Sequence, residues 1–189
     1  MARTKGKPVE VKESASPEKK TARTARASSQ ESSPAAPPQG GHHYVVGIGA
    51  SAGGLEALSA LVSKLRPGLG MSYVVVQHLS PSYKSMLPQL LGRETTLPVV
   101  EIVHGQAPRP DTIYITPPDR NVVLKDGKLE LLQSPREIMP KPSVNLLLSS
   151  LAEERREDAI GVILSGTGSD GSSGIRAIKA AGGFTFAQD

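Results

Sequence analysis

Short runs of β-branched residues alternate with segments of helical periodicity along most of this chain, and this alternation limits its fold more than any other feature. The run "YVVGIGA" predicts a buried strand, and "GGLEALSALVSKL" after it carries leucines at helical spacing. Further strands are predicted in "SYVVVQHL", "LPVVEIV", "TIYITP", "AIGVILSG" and "FTFAQ". Further helices are predicted in "SMLPQLLGRET", where Pro88 interrupts the pattern, in "SVNLLLSSLAEERRE" and in "SSGIRAIKAAGG". Repetition of strand, helix and strand predicts an α/β fold with a doubly wound, mostly parallel sheet and helices on both faces.

One segment departs from this alternation. "NVVLKDGKLELL" has two alternating runs around Asp126 and Gly127, which predicts an antiparallel hairpin insertion. Parallel sheets often carry such an element at an edge, so we expect the hairpin there. The chain stops just after the strand "FTFAQ", and we therefore expect the domain over 43–189 to be incomplete at its C-terminus.

Residues 1–42 differ in composition from the rest, being rich in Lys, Ser, Ala, Thr and Pro with almost no large apolar side chain. Such a segment cannot bury enough surface to offset its ordering entropy, so it predicts a disordered leader. The leader up to residue 41 has eight basic and four acidic residues, whereas the remainder has fourteen of each. The net charge of +4 therefore comes from a mildly basic leader, and the neutral domain argues against a nucleic-acid partner.

Composition also restricts the chemistry. The absence of Cys excludes disulfides, thiolate metal sites and a Cys nucleophile. Four His without clustered acids leave a metal site short of ligands, so we expect neither a metal nor a cofactor. No apolar run approaches the length of a membrane span and no signal peptide is visible, which predicts a cytoplasmic protein without membrane insertion.

The stretch "VVGIGASAGG" lies at a strand-to-helix turn, where open parallel sheets place their sites. The spacing of Gly47, Gly49 and Gly53 does not fit G-x-G-x-x-G, no acidic residue ends the second strand, and no P-loop lysine follows, which argues against a nucleotide site. The same residues form G-x-S-x-G around Ser51, a motif that exposes a nucleophilic serine. Small neighbours would leave room for an ester, and the helix N-terminus would favour an oxyanion.

A serine nucleophile needs a base and an orienting acid. His78 in "QHLS" ends the second strand, and Asp170 in "SGTGSDG" follows a late strand, so both belong to the same edge of the predicted sheet. Their order, Ser then His then Asp, differs from that of α/β-hydrolases. The reserve candidates are His104 as base and Asp119 as acid, whereas Asp158 lies at the wrong end of its strand.

Each of the three residues also has an ordinary structural interpretation. Ser51 could be a turn or N-cap residue, His78 a hydrogen-bonded surface residue, and Asp170 the N-cap of the helix that follows it. The pattern alone leaves both interpretations open. It also leaves open a module that only binds a signalling partner.

Five blocks of sequence between residue 44 and the end of the chain are recognisable when taken together and in order. These blocks are "VVGIGASAGG", "VVVQHLS", "IYITPPDRNVVLKDGKLEL", "KPSVNLLLSSLA" and "GVILSGTGSDGSSGIRAIKAAGG". Together they resemble the catalytic domain of the CheB-type protein-glutamate methylesterases of chemotaxis. The resemblance implies hydrolysis of glutamyl methyl esters on the cytoplasmic segments of chemoreceptors, with glutamine deamidation as a second activity. It also implies Ser51 as nucleophile, His78 as base, Asp170 as orienting acid and the backbone N–H of Thr167 as an oxyanion donor.

The chain departs from that family in three places. A leader stands where the family has a phosphorylatable receiver domain, so the chain also resembles the first module of fusions that continue into methyltransferase and sensor-kinase domains. Ala52 replaces a Thr that many members carry beside the nucleophile. The chain stops at "FAQD", before a part that walls the active site, and the alternative expectation is therefore an inactive fragment or a binding module of a larger fusion.

Overall fold

The computed structural model describes residues 43–51, 53–78, 86–133, 142–164 and 169–188. In chain order, the elements in these ranges are β1 (Val45–Ala50), α1 (Leu55–Val62), β2 (Ser72–Gln77), α2 (Leu87–Leu91), β3 (Val99–Glu101), β4 (Thr112–Ile115), β5 (Arg120–Lys125), β6 (Lys128–Gln133), α3 (Val144–Arg155), β7 (Ala159–Ile163), α4 (Ser172–Ala180) and β8 (Phe184–Ala187). A 3₁₀ turn, Arg156–Asp158, joins α3 to β7. The predicted leader lies outside the described residues, and its boundary stays a prediction.

Six of the strands form one sheet in the order β3-β4-β2-β1-β7-β8, and every neighbouring pair is parallel. Side chains alternate between the two faces of the sheet, so β1 sends Val46 and Ile48 to one hydrophobic cluster and Val45 to the other. Helices α1 and α2 cover the first face, and α3 and α4 cover the second. The predicted doubly wound fold with helices on both faces is confirmed.

The hairpin forms a sheet of its own from β5 and β6. Its turn has φ of 50° at Asp126 and 73° at Gly127, and Asp-Gly suits such a turn because both residues tolerate positive φ. The expected position at an edge of the main sheet is wrong. The hairpin packs instead on α3, where Leu124 N–H donates to Ser150 Oγ at 2.9 Å and the apolar side chains of β5 join the core beneath.

Two glycines of β1 bring α3 close to the central strand. A Cβ at Gly49 would lie 2.4 Å from Val144 Cγ1, and a Cβ at Gly47 would lie 2.6 Å from Leu148 Cδ2. The sequence predicted room for an ester beside Ser51, and the structure gives Gly47 and Gly49 a further role. They provide clearance for α3, and the N-terminus of that helix consequently lies beside the end of β1.

Helix α2 differs from its prediction in a similar, local way. It begins at Leu87, so Pro88 lies in the first turn and does not interrupt the helix. A proline is tolerated there because the first backbone N–H groups have no partner within the helix. In the described part of the chain, no helix combines the length and the apolar character that crossing a membrane requires.

Candidate active site

The ends of three adjacent strands carry Ser51, His78 and Asp170 to one place. Ala50 is paired with Gln77 in the β1–β2 ladder, and the next hydrogen bond runs from His78 N–H to Ala50 O at 3.0 Å. Ser51 and His78 therefore follow directly on neighbouring strands. All three residues line a single pocket, whose remaining walls are Gly49, Ala50, Val144, Ile163 and Leu164.

Ser51 occupies the turn between β1 and α1. Its carbonyl accepts a hydrogen bond from Gly54 N–H at 2.9 Å, and α1 begins one residue later. The buried side chain of Gln77 donates Nε2–H to the same carbonyl at 3.4 Å. The strand-turn-helix setting that the G-x-S-x-G motif requires is present, whereas Ala52 lies outside the described residues.

His78 and Asp170 are in direct contact. The distance from His78 Nε2 to Asp170 Oδ2 is 3.0 Å, and the side chains are 19% and 7% exposed, respectively. The imidazole is thus reachable from the pocket, whereas the carboxylate is enclosed behind it. This is the order of exposure expected when a histidine exchanges protons and an acid holds it in place.

The carboxylate of Asp170 also caps a helix. Its Oδ2 accepts Val144 N–H at 2.7 Å, and its Oδ1 accepts Asn145 N–H at 3.0 Å and the hydroxyl of Ser143 at 3.3 Å. The sequence allowed Asp170 as N-cap of the helix that follows it, but that helix, α4, has Gly171 at its N-cap. The capped helix is α3, so the alternative interpretation had the correct role and the wrong helix.

These contacts determine the charge of Asp170. Burial alone raises the pKa of Asp170, but the hydrogen bonds from His78 and from the backbone of Asn145 and Val144 outweigh it and hold the pKa below 3.8, its ordinary value. Asp170 is consequently a charged acceptor at neutral pH. The nitrogen that faces it, His78 Nε2, must carry the proton, which leaves Nδ1 of a neutral His78 free to accept one.

The reserve candidates lie elsewhere. His104 Nδ1 accepts the N–H of Leu131 on the hairpin at 3.1 Å, and exposed Asp119 pairs with Arg120 at 3.5 Å. Neither lines the pocket that holds Ser51. Asp158 belongs to the 3₁₀ turn before β7, at the opposite end of the sheet, as the sequence predicted. Thr167 lies outside the described residues, so its predicted role as oxyanion donor stays a prediction.

Two residues that support the site were not singled out from the sequence. Asn145 and Ser143 both contact Asp170, and Ser143 N–H in turn donates to the buried Asn121 Oδ1 at 2.8 Å. A signal for Ser143 existed, because a serine directly before an apolar helical pattern is an N-cap signal. Within the described ranges, no cluster of three or more His, Cys, Asp or Glu could hold a metal ion.

Comparison with known proteins points the same way. The family model for CheB methylesterase matches residues 46–189. A "Protein-glutamate methylesterase/protein-glutamine glutaminase 2" of Anaeromyxobacter dehalogenans (strain 2CP-C) is 40% identical over 145 residues, which are 77% of this chain and 42% of that protein. A "Protein-glutamate methylesterase/protein-glutamine glutaminase" of Desulfitobacterium hafniense (strain Y51) is 34% identical over 149 residues, 76% of this chain and 38% of that protein.

The fold has a solved counterpart as well. The crystal structure of the Thermotoga maritima CheB methylesterase catalytic domain superposes with a TM-score of 0.73 at 33% identity. The match covers 78% of this chain and 80% of that domain. The chain thus spans most of a solved catalytic domain but only about two-fifths of the length of the curated relatives it matches.

Proposed function

The chain belongs to the CheB methylesterase family, and we propose that it hydrolyses methyl esters of glutamyl side chains with Ser51 as nucleophile, His78 as base and Asp170 as orienting acid. The observation that carries the proposal is the 3.0 Å contact between His78 Nε2 and Asp170 Oδ2 in the pocket that Ser51 also lines. The names of the two relatives include a glutaminase, so deamidation of glutamine side chains is proposed as the second activity.

The reaction is an acyl transfer in two halves. Ser51 Oγ attacks the ester carbonyl while His78 Nδ1 takes its proton, and the imidazolium then protonates the methoxy group, which leaves as methanol. A water molecule attacks the acyl-serine with His78 again as base, which releases the glutamate carboxylate and restores Ser51. With a glutamine side chain the leaving group is ammonia, and the same protons are moved.

Asp170 acts through His78 and does not itself transfer a proton. Because Asp170 is ionised, it keeps the hydrogen on Nε2 and stabilises the imidazolium that forms during attack. The two ring nitrogens of His78 have exchanged roles relative to the Ser-His-Asp arrangement in which the acid contacts Nδ1 and the serine proton goes to Nε2. The developing oxyanion would be held by the N-terminal end of α1 and by the backbone N–H of Thr167.

The substrate and its setting form part of the same proposal. Methylated glutamates on the cytoplasmic segments of chemoreceptors are the proposed substrate, which places the reaction in the cytoplasm. Fused or associated methyltransferase and sensor-kinase domains are the proposed partners. The coding sequence beyond Asp189 tests the fusion directly.

The nucleophile is tested by replacing Ser51→Ala in the purified chain and measuring methanol released from a methylated receptor peptide. We expect release to fall by orders of magnitude, since the proposed reaction takes its attacking oxygen from Ser51. Ser63→Ala is the matched control, because the hydroxyl of exposed Ser63 donates to the carbonyl of Ala60 and Ser63 does not line the pocket. Methanol release by Ser51→Ala at the rate of the control would refute the assignment.

A chemical test separates an enzyme from a binding module. A serine-directed fluorophosphonate should add its mass to Ser51 in the unmodified chain and in Ser63→Ala, and not in Ser51→Ala. A chain that binds receptor peptide but takes no label would instead be a non-catalytic module.

A further inference from the structure

Helices α3 and α4 supply each other's N-terminal caps. The side chain of Asp170, just before α4, accepts the first N–H groups of α3, from Val144 and Asn145. The side chain of Asn145, in the first turn of α3, accepts the N–H groups of Gly171 and Gly174 at 3.0 Å each. The first N–H groups of a helix have no acceptor within it, so each helix depends on the other for these bonds.

This exchange holds Asp170 from two sides. Asn145 donates its own N–H to the carboxylate of Asp170 at 3.0 Å and binds the N–H of Gly171, which belongs to the peptide unit that follows Asp170. One residue therefore contacts both the side chain and the backbone of the acid. The two contacts restrict the position of the carboxylate and the direction from which it reaches His78.

The backbone at Gly171 packs closely against β7. Gly171 has φ of +106°, which L side chains rarely adopt, and a Cβ there would lie 2.5 Å from Ile163 Cδ1. The side-chain carbonyl of Asn145 fixes this backbone further by accepting the N–H of Gly171.

We propose that Asn145 is a positioning residue of the active site, which sets the carboxylate of Asp170 against His78 Nε2. The inference rests on the proposed function, because it assigns Asn145 a part in the acyl transfer of Ser51. Asn145 touches neither the ester nor the proton that moves. It acts by aligning the acid, and misplacement of a catalytic group by about 1 Å can cost on the order of 100-fold in rate.

The test compares Asn145→Ala and Asn145→Asp with Ser150→Ala. Ser150 is the matched control, because it lies on the same helix and its hydroxyl bonds Leu124 N–H and the carbonyl of Leu147 without contacting Asp170. The measured quantities are kcat and KM for a methylated receptor peptide, the melting temperature, and the ring ¹⁵N resonances of His78, which report the nitrogen that carries the proton.

We expect Asn145→Ala to lower kcat by about 10- to 100-fold with little change in KM, because alignment and not peptide binding is lost. The ¹⁵N resonances of His78 should shift from the form protonated at Nε2 toward a mixture of tautomers. Asn145→Asp should recover most of kcat, since a carboxylate oxygen accepts the same two N–H groups. Ser150→Ala should keep kcat and the His78 resonances even where its melting temperature falls.

Unchanged kcat and unchanged His78 resonances in Asn145→Ala would overturn the proposal, and so would an equal loss of kcat in Ser150→Ala. Failure of the proposed function has a different signature. An unmodified chain that releases no methanol, yet shows the tautomer shift in Asn145→Ala, would refute the esterase and support the alignment of Asp170 by Asn145.

Discussion

Replacing Asp170→Asn tests two roles of this residue, the proposed catalytic one and that of a helix cap. The substitution affects both, and each has its own measurement. The amide keeps the size of the carboxylate but removes its charge and one of its two acceptor oxygens. In the native site Oδ2 serves His78 and Val144, whereas Oδ1 serves Asn145 and Ser143. In either orientation of the amide, its NH₂ group replaces an acceptor oxygen and faces the backbone N–H of Val144 or of Asn145. That N–H then has no acceptor.

The effect on stability follows from those contacts. One buried N–H at the start of α3 loses its partner, which costs about 1–3 kcal/mol. Loss of the negative charge at the helix N-terminus adds about 0.3–1 kcal/mol. We therefore expect the free energy of unfolding to fall by roughly 1–4 kcal/mol near neutral pH, which leaves room for a folded variant.

The effect on catalysis is larger. If the NH₂ group faces His78, Nε2 must become the acceptor and the hydrogen moves to Nδ1, the nitrogen that should take the proton of Ser51. If the oxygen faces His78 instead, the tautomer survives but the imidazolium loses its charged partner. A substitution of this type lowered kcat about 10⁴-fold in another Ser-His-Asp enzyme, and we expect a loss on the order of 10³- to 10⁴-fold here.

The assay pairs initial rates of methanol release with urea unfolding of the same preparations, and Ser150→Ala supplies a control for destabilised α3. The acid dependence of stability gives a second measurement. The pKa of Asp170 is lower in the folded chain than its ordinary value of 3.8. The carboxylate therefore contributes stability above pH 3.8, and this contribution is lost as the pH falls through the folded pKa. The difference in stability between the native chain and Asp170→Asn should therefore shrink in acid.

The reasoning fails if Asp170→Asn unfolds more easily but keeps its turnover within about tenfold of the native value, a far smaller loss than a wrong tautomer causes. Asp170 would then be only the cap of α3. It fails in the opposite sense if turnover is lost while stability in urea stays unchanged. The hydrogen bonds that Asp170 accepts from Val144 N–H and Asn145 N–H would then contribute nothing to the stability of α3.

Two further predictions concern stability. Gly49→Ala should destabilise the fold by about 1–3 kcal/mol in urea unfolding, because its Cβ would lie 2.4 Å from Val144 Cγ1. A Cβ at Gly53 would meet no atom of the described residues within 4 Å, so Gly53→Ala should change stability by less than about 1 kcal/mol. Equal effects of the two substitutions would refute the packing argument. Burial and the charge of Arg155 lower the pKa of His43, despite the opposing charge of Asp158. As the pH drops, the imidazole of His43 is therefore protonated in the unfolded chain before it is protonated in the folded one. Stability should consequently fall as the pH drops below about 6.5. His43→Gln should reduce the loss of stability between about pH 7.5 and 5.5, measured by urea unfolding at both values, and an unchanged loss would contradict it.

The strands and helices were predictable from sequence because the signals that form them are local. β-branched runs and helical spacing of leucines placed the strands and helices close to their observed bounds, and the Asp126-Gly127 pair marked the hairpin turn. The three candidate residues could be found for a related reason. The carboxyl ends of parallel strands share one edge of a sheet, so residues that follow different strands meet without any further information.

The tertiary structure decided how those residues are held. Asp170 caps α3, a helix whose N-terminal residues precede it by 25 and 26 positions, and no local pattern distinguishes that from a cap on the helix next to it. The reciprocal role of Asn145, the separate sheet of the hairpin and the need for Gly47 and Gly49 beneath α3 depend in the same way on contacts between distant segments. Sequence determined which groups reach the site, and packing of α3 against β1 and α4 determined their geometry, because hydrogen bonds and clearances of a few ångströms exist only once those elements meet.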